Sequence, residues 1–201
     1  MTSNEGNNNN GSDVDDNTIT FTAAGSGSYT YIRKTGSAVP LAKTTHNGQV
    51  SGICDVNGNM WQPVLGWQNT SSQKIKLAKL SVKMHDFTKD NRNNAELFDE
   101  ISIDAGDGTY YWQKGKALYS DTSGSGWAMN GVLPKTIAGT SADAMYGKDY
   151  VYLNYVSDRV LLVAGYYRSG TNAGSWYRDG GSYWDYVNGY ASFRAAAYAS
   201  L

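Results

Sequence analysis

The apolar run Val160 to Ala164 and the closing segment Ser192 to Ala197 enclose a stretch almost devoid of ordinary core formers, and this arrangement constrains the fold more than any other feature. Between Tyr166 and Tyr190 the chain has no Lys, Glu, Gln or Met; it interleaves Tyr and Trp with Gly, Ser, Asp, Asn and Arg. Positions 166 to 201 hold seven of the sixteen Tyr and two of the six Trp. Two buried strands are therefore expected to hold an aromatic surface segment between them. Tyr and Trp supply rigid contact area while Ser, Gly and Asn supply adaptable hydrogen bonds, a mixture typical of recognition loops. The same mixture also suits ordinary exposed β-structure, in which aromatic cross-strand pairs stabilise a sheet. The apolar anchors on both flanks favour recognition.

A chain of 201 residues is expected to form one domain, here with a polar tail. The net charge of -1, with 17% of residues charged, leaves no basic field to gather phosphates, so nucleic acid is not an expected partner. A neutral surface rich in hydrogen-bonding groups suits glycans or protein epitopes. The single Cys54 excludes an intrachain disulfide and reads as a small buried apolar residue. The opening MTSNEGNNNNGSDVDDN has neither the basic nor the apolar portion of a secretory signal, and no run approaches a membrane span, so membrane insertion is not expected.

Residues 1 to 17 are too polar to offset the entropy of ordering and are expected to be a flexible tail. Thr18 to Ala23 and Tyr29 to Lys34, joined by AGSGS, read as a hairpin. Thr44 to Trp67 is punctuated by Gly48, Gly52, Gly58 and Gly66 with Asn47, Asn57 and Asn59, which mark tight turns. Ile75 to Met84 predicts a strand with a bulge, with a helix as the alternative. Asn93 to Ile101 predicts a short helix with Asn at its cap and acids in its first turns. The region 104 to 136 is expected to be irregular, with Asp104 and Asp107 in a plain turn rather than a calcium loop. Ser141 to Gly147 suggests a helical turn, and Tyr150 to Tyr155 a short strand.

The run HNGQVSGICDVNGNMWQ, from His46 to Gln62, resembles the turn-rich signature HNG followed by G-x-x-D-x-x-G-N-x-W. That signature belongs to the C-type-lectin-fold branch shared by formylglycine-generating enzymes and the variable proteins of diversity-generating retroelements. Ser192-Phe193-Arg194-Ala195-Ala196 is similar to the terminal G/S-F-R strand of the same branch, with Ala191-Ser192 in place of the commoner Gly. The resemblance implies a single α+β domain of C-type-lectin-like fold over residues 18–201, strand-rich with one or two short helices, and a variable region at about 160–198.

In the variable proteins the terminal segment is rewritten at adenines of a template copy, chiefly through Asn codons. Replacing the first two letters of AAY can yield Tyr, Ser, Asp, Arg, Gly, Thr and Asn but never Trp, Lys or Gln, a restriction that fits the absence of Lys and Gln from 166 to 190. The resemblance implies a fixed frame of Gly165, Gly170, Ala173, Gly174, Ser192, Phe193 and Arg194. It implies an exposed ligand-binding set of Tyr166, Tyr167, Arg168, Thr171, Asn172, Tyr177, Arg178, Asp179, Ser182, Tyr183, Asp185, Tyr186, Asn188 and Tyr190, with Trp176 and Trp184 as anchor or contact. Arg194 is expected to pair with a carboxylate, Asp55 being the candidate.

Catalysis is not expected. Formylglycine-generating enzymes oxidise a cysteine and need thiols to do so, whereas this chain has Cys54 alone, and Gln62 stands where an acid usually follows the motif's Trp. His46 and His85 lie in neither a nucleophile-elbow nor a metal-helix context and read as turn or surface residues. Calcium-using lectins carry Glu-Pro-Asn or Gln-Pro-Asp before Trp-Asn-Asp; Gln62-Pro63-Val64 ends in Val, and Trp184-Asp185 only echoes the second motif. No metal or other cofactor is therefore expected. The expected function is non-enzymatic binding of a host-surface protein or glycan through the Tyr-rich face, by a component of a virion surface or an extracellular protein, alone or as a homo-oligomer. A carbohydrate-binding lectin and a sulfatase-modifying-like enzyme are the competing readings.

Overall fold

The computed structural model of the chain describes residues 5–70, 74–79, 81–83, 86–88, 90–91, 94–102, 108–111, 150–154, 156, 159–183, 185 and 188–192. Seven strands lie in one sheet: β1 (Gln62–Thr70), β2 (Lys74–Ala78), β3 (Phe98–Ser102), β4 (Gly108–Tyr111), β5 (Tyr150–Leu153), β6 (Arg159–Ala164) and β7 (Gly174–Tyr183). Their order is β3-β2-β1-β6-β7-β5-β4, open at both ends and antiparallel except where β5 runs parallel to β7. The fold is thus strand-rich with a mixed open sheet.

The apolar run at 160–164 becomes β6, the central strand of the sheet, and Val160, Leu161 and Leu162 are all buried, as a strand covered on both faces requires. In β2 the alternation is simpler: Ile75 and Leu77 point inward while their neighbours stay half-exposed. Trp67, Phe98, Val151 and Leu153 complete the core of the sheet. Asn69 on β1 is buried yet satisfied, because its amide donates to the carbonyls of Asn154 and Gly180 at 2.9 Å each while its Oδ1 accepts from the Trp67 indole at 2.8 Å. That residue ties β1 to the chain leaving β5 and to β7. A buried amide stabilises a fold only when its bonds are made in this way.

Several expectations are corrected. Residues 5–17 are not a flexible tail: Asn7 is 0% exposed, and Asn8 and Asp13 are buried with it. Asp13 organises the segment by accepting from the backbone N–H groups of Gly6, Asp15 and Asp16 and from the Asn8 amide. A polar segment here folds on side-chain-to-backbone bonds rather than on apolar burial. The Asn93–Ile101 helix is overturned as well. Asn94 does cap a turn, its Oδ1 accepting from Glu96 N–H at 2.9 Å, but the chain then enters β3 and pairs along β2 from Ala78↔Phe98 to Lys74↔Ser102. Cross-strand pairing outweighs a one-turn helical propensity.

The strand over Ile75–Met84 stops at Ala78 and is followed by a turn that Val82 N–H closes on Lys79. The hairpin over 18–34 is reduced to a bridge between Ala23 and Arg33, and a 3₁₀ turn at Gly27–Tyr29 separates its arms. Among the described residues the named helical elements are 3₁₀ turns, at Gly27–Tyr29, Leu41–Thr44 and Gly170–Asn172, so the helical half of the α+β label has little support. Tyr150 to Leu153 forms a strand within the expected 150–155, and it pairs with Gly108–Tyr111, a strand inside the region expected to be irregular. The turn at Ser141–Gly147, the Asp104/Asp107 segment, His85 and Arg194 lie outside the described residues. Cys54 is half-buried rather than buried, and His46 Nδ1 accepts from Ile53 N–H at 2.8 Å, as a turn histidine does.

Candidate functional site

The chain leaves β6 through Ala164 and Gly165, both at positive φ (73° and 75°), and this left-handed pair turns it out of the sheet into the segment 166–173. Gly165 has no substitute there. A Cβ on it would lie 2.9 Å from the Ala173 Cβ and 3.0 Å from the Ser169 Oγ, so the two ends of the segment close on each other over a bare backbone. Tyr166 N–H donates to the Ser169 hydroxyl at 3.0 Å, and the 3₁₀ turn at Gly170–Asn172 delivers the buried Ala173 to β7.

Two distant parts of the sequence clamp this segment through its backbone. In the turn-rich block, Gly58 N–H donates to the Ala164 carbonyl at 2.8 Å and Tyr167 N–H to the Asn59 carbonyl at 3.2 Å. From the N-terminal arm, Asn10 N–H donates to the Tyr167 carbonyl at 2.6 Å, while Gly170 N–H donates to the Asn8 carbonyl at 2.9 Å. Asn7 and Asn59 lock the arm to the block: Asn7 Nδ2 donates to Asn59 Oδ1 at 2.9 Å and to the Tyr31 carbonyl at 2.8 Å. Asn10 and Asn59 both adopt positive φ, which Asn tolerates better than most residues. Main-chain anchoring of this kind fixes the path of 166–173 without calling on its outward side chains.

On that frame sits a contiguous cluster of rings. Trp61 stacks at a tilt on Tyr166, centroids 4.1 Å apart. Tyr166 meets Tyr167 at 5.2 Å and Tyr190 at 6.1 Å, Tyr167 meets Tyr31 at 5.7 Å, and Tyr29 meets Tyr190 at 6.3 Å. Such pairs contribute about 0.5–1.5 kcal/mol each beyond the area they bury. Trp61 is held at its backbone too, since its N–H donates to the Tyr190 carbonyl and its carbonyl accepts from Ser192 N–H, both at 2.8 Å. Tyr29 and Tyr31 are exposed, and Trp61, Tyr166 and Tyr190 are half-buried, so the cluster is a surface platform with one ring beneath it.

That ring is Tyr167, 1% exposed, and with Tyr177, also 1% exposed, it leaves the expected exposed set. Tyr177 sits on β7, between β6 and β5, and points into the core. Its hydroxyl accepts from the Trp61 indole at 3.3 Å and donates to Asp179 Oδ2 at 3.1 Å, which gives a buried phenol the partners it requires. Burial raises the Asp179 carboxyl above its ordinary value, against the opposing bonds from Gly181 N–H and Tyr177. Burial, and then hydrogen bonding to Tyr190, push the Tyr167 phenol up to about 12.

The other expected site residues divide by exposure. Arg168, Tyr183 and Asp185 are exposed; Tyr166, Thr171, Asn172, Arg178, Asp179, Ser182, Asn188 and Tyr190 are intermediate. Tyr183, 51% exposed, lies away from the ring cluster near the end of β7, with the Arg159 guanidinium 3.6 Å from its ring centroid. Asn188 turns inward along its own chain, its Oδ1 accepting from Tyr190 N–H. Trp184, Tyr186 and the Trp176 side chain lie outside the described residues. The composition of 166–190 did not point to Tyr29, Tyr31, Trp61 or Asn10. Of these only Trp61, inside the G-N-x-W motif, carried a signal in the sequence. Among the described residues no cluster of His, Cys, Asp and Glu has the makings of a metal site, and no helix is long and apolar enough to cross a membrane.

Comparison with protein-family models finds no match, and comparison with curated proteins finds none either.

Proposed function

We propose that this chain is a non-enzymatic recognition protein of the kind made variable by diversity-generating retroelements, built on a C-type-lectin-like domain and displayed on a virion or outside the cell to bind a host-surface ligand. The carrying observation is the meeting of the two sequence blocks that bear the resemblance. Trp61 of the G-N-x-W motif touches Tyr166 by stacking, Tyr177 by a hydrogen bond across 116 positions, and Tyr190 and Ser192 through its backbone. A surface whose side chains change must take its shape from elsewhere. Here the backbone clamps from Asn8, Asn10, Gly58 and Asn59 provide that shape, and the positions free to change are the outward ones.

The test is genetic. The coding region is sequenced across independent isolates together with its neighbouring DNA, in search of a near-identical repeat beside a reverse transcriptase gene. The expected substitutions fall at positions where the repeat has adenine, in the codons for Tyr166, Arg168, Thr171, Asn172, Tyr183 and Asp185, and spare Tyr167 and Tyr177. Substitutions spread evenly over those codons and the core codons of Ile75 and Leu162, with no repeat nearby, would overturn the reading.

A further inference from the structure

We infer that the aromatic platform takes an acidic saccharide, with its carboxylate or sulfate on the Arg168 guanidinium and its ring on the adjoining tyrosines. The inference rests on the recognition reading above and narrows its ligand class. Four described arginines lie in or beside the sheet and arm and are used differently; Arg178 on β7 donates from Nη1 to the Tyr177 carbonyl at 2.8 Å. Arg33 is spent on the fold: its Nε donates to the Gly11 carbonyl at 3.0 Å and its Nη1 to the Thr30 carbonyl at 2.7 Å. Arg159 donates to the Gly181 carbonyl at 2.6 Å and lies over Tyr183. Arg168 is exposed and uses only Nε, which donates to Asn10 Oδ1 at 3.1 Å. Its guanidinium carbon stands 5.6 Å from the Tyr31 centroid and 5.4 Å from that of Tyr167.

The outcome is a cation held in place with both terminal nitrogens lacking an acceptor among the described residues. The ion pairs among those residues are Lys43 with Asp16 and Lys74 with Glu100, neither involving Arg168. Asp13, the buried acid of the neighbouring arm, is turned inward onto Gly6, Asn8, Asp15 and Asp16 and does not neutralise it. A guanidinium fork fixed at Nε and supported by rings is preorganised for bidentate capture of a planar or tetrahedral oxyanion, with little side-chain entropy left to lose.

The rest of the ligand follows from what surrounds this fork. Tyr31 adjoins it, and the buried Tyr167 beneath joins Tyr31 to the half-buried Tyr166 and Tyr190 and, beyond them, to the exposed Tyr29. Aromatic rings edged with hydroxyls present an apolar face and donor–acceptor groups together, matching the C–H face and hydroxyl rim of a pyranose. One fixed cation matches one acid group. An acidic peptide, with a run of carboxylates, would call for several, and the chain's net charge of -1 offers no basic field for it.

The experiment uses the full chain on an array of matched neutral, carboxylated and sulfated saccharides, followed by calorimetry with 3′-sialyllactose, sulfated lactose and lactose. Binding to a carboxylated or sulfated member over its neutral counterpart is expected, and the two acidic arms identify which oxyanion is preferred. Arg168→Gln is expected to weaken that binding by about tenfold or more, as the loss of a charge-assisted contact does, with partial rescue by Arg168→Lys. Asn10→Ala, which frees the guanidinium, weakens it several-fold, and the melting temperature of Arg168→Gln stays unchanged. Equal binding of neutral and acidic sugars, no acidic binding at millimolar concentration, or acidic binding indifferent to Arg168→Gln would each overturn the inference. The genetic test of variability is independent of all three, so the recognition reading stands or falls separately.

Discussion

Asn10 donates its backbone N–H to the Tyr167 carbonyl at 2.6 Å, joining a run of asparagines at the start of the chain to the aromatic segment near its end. The relationship makes the N-terminal arm a structural strap. Asn7 is its fixed point, bonding Asn59, the Tyr31 carbonyl and Gly11 N–H from a fully buried position. Asn7→Ala therefore strands three partners. It is expected to cost roughly 2–4 kcal/mol and to lower the melting temperature by roughly 5–15 °C. Calorimetric melting of the variant checks this, and an unchanged transition would return the arm to the status of a tail.

Tyr177 is expected to behave as core. Tyr177→Phe removes the hydroxyl between Trp61 and Asp179 and should cost about 1–3 kcal/mol, while Tyr177→Ala adds a cavity and should cost about 3–5 kcal/mol. Denaturant titration of both variants measures the difference. Small effects from both would mean that the ring is dispensable to packing.

Asp179 gives a pH dependence with a definite sign. Burial sets its folded pKa above the ordinary 3.8, so the folded state holds this proton more tightly than the unfolded chain does. Its contribution to stability is then greatest below that ordinary value and is lost as the pH rises through the raised one. Asp179→Asn abolishes the titration. The wild type is expected to gain stability relative to the variant as the pH falls from about 7 towards 4, read from denaturant midpoints. A wild type that instead lost ground on acidification would indicate a carboxylate stabilised in its charged form.

Gly165→Ala tests the exit from β6. At φ 75° an alanine is strained, and its Cβ would press on Ala173 at 2.9 Å. A loss of about 1–3 kcal/mol is expected in chemical denaturation. Gly170→Ala, which also has positive φ but nothing within 4 Å of an added Cβ, should cost less. Equal costs would remove the role assigned to the close approach.

Three of the seven strands were legible in the sequence because their signals are local: the continuous apolar run 160–164 gave β6, and the alternations from Ile75 and Tyr150 gave β2 and β5. The turn-rich block at 46–62 could likewise be read from its Gly and Asn. What escaped was structure held by polar bonds. The arm at 5–17 has the composition of disorder, since nothing in a list of residues tells whether asparagine amides find partners in the fold. The segment at 93–101 has a helical cap, but its fate is decided by a partner strand 20 to 28 positions earlier, from Ala78↔Phe98 to Lys74↔Ser102. Tyrosine density drew attention to 166–190 without telling inward rings from outward ones. Tyr167 and Tyr177 face in because of the turn after Gly165 and the register of β7, neither of which composition contains.

The central claim, that the outward side chains of 166–185 serve recognition while stability comes from the strap, the turn block and the sheet, is tested most directly by thermal denaturation of one combined variant, Arg168→Ser, Thr171→Ser, Asn172→Ser and Tyr183→Ser. The account predicts a melting temperature within roughly 5 °C of the wild type, since these side chains are exposed or half-exposed and the backbone clamps remain. A fall of more than roughly 15 °C, or loss of the cooperative transition, would show that the face is part of the core and would contradict the account.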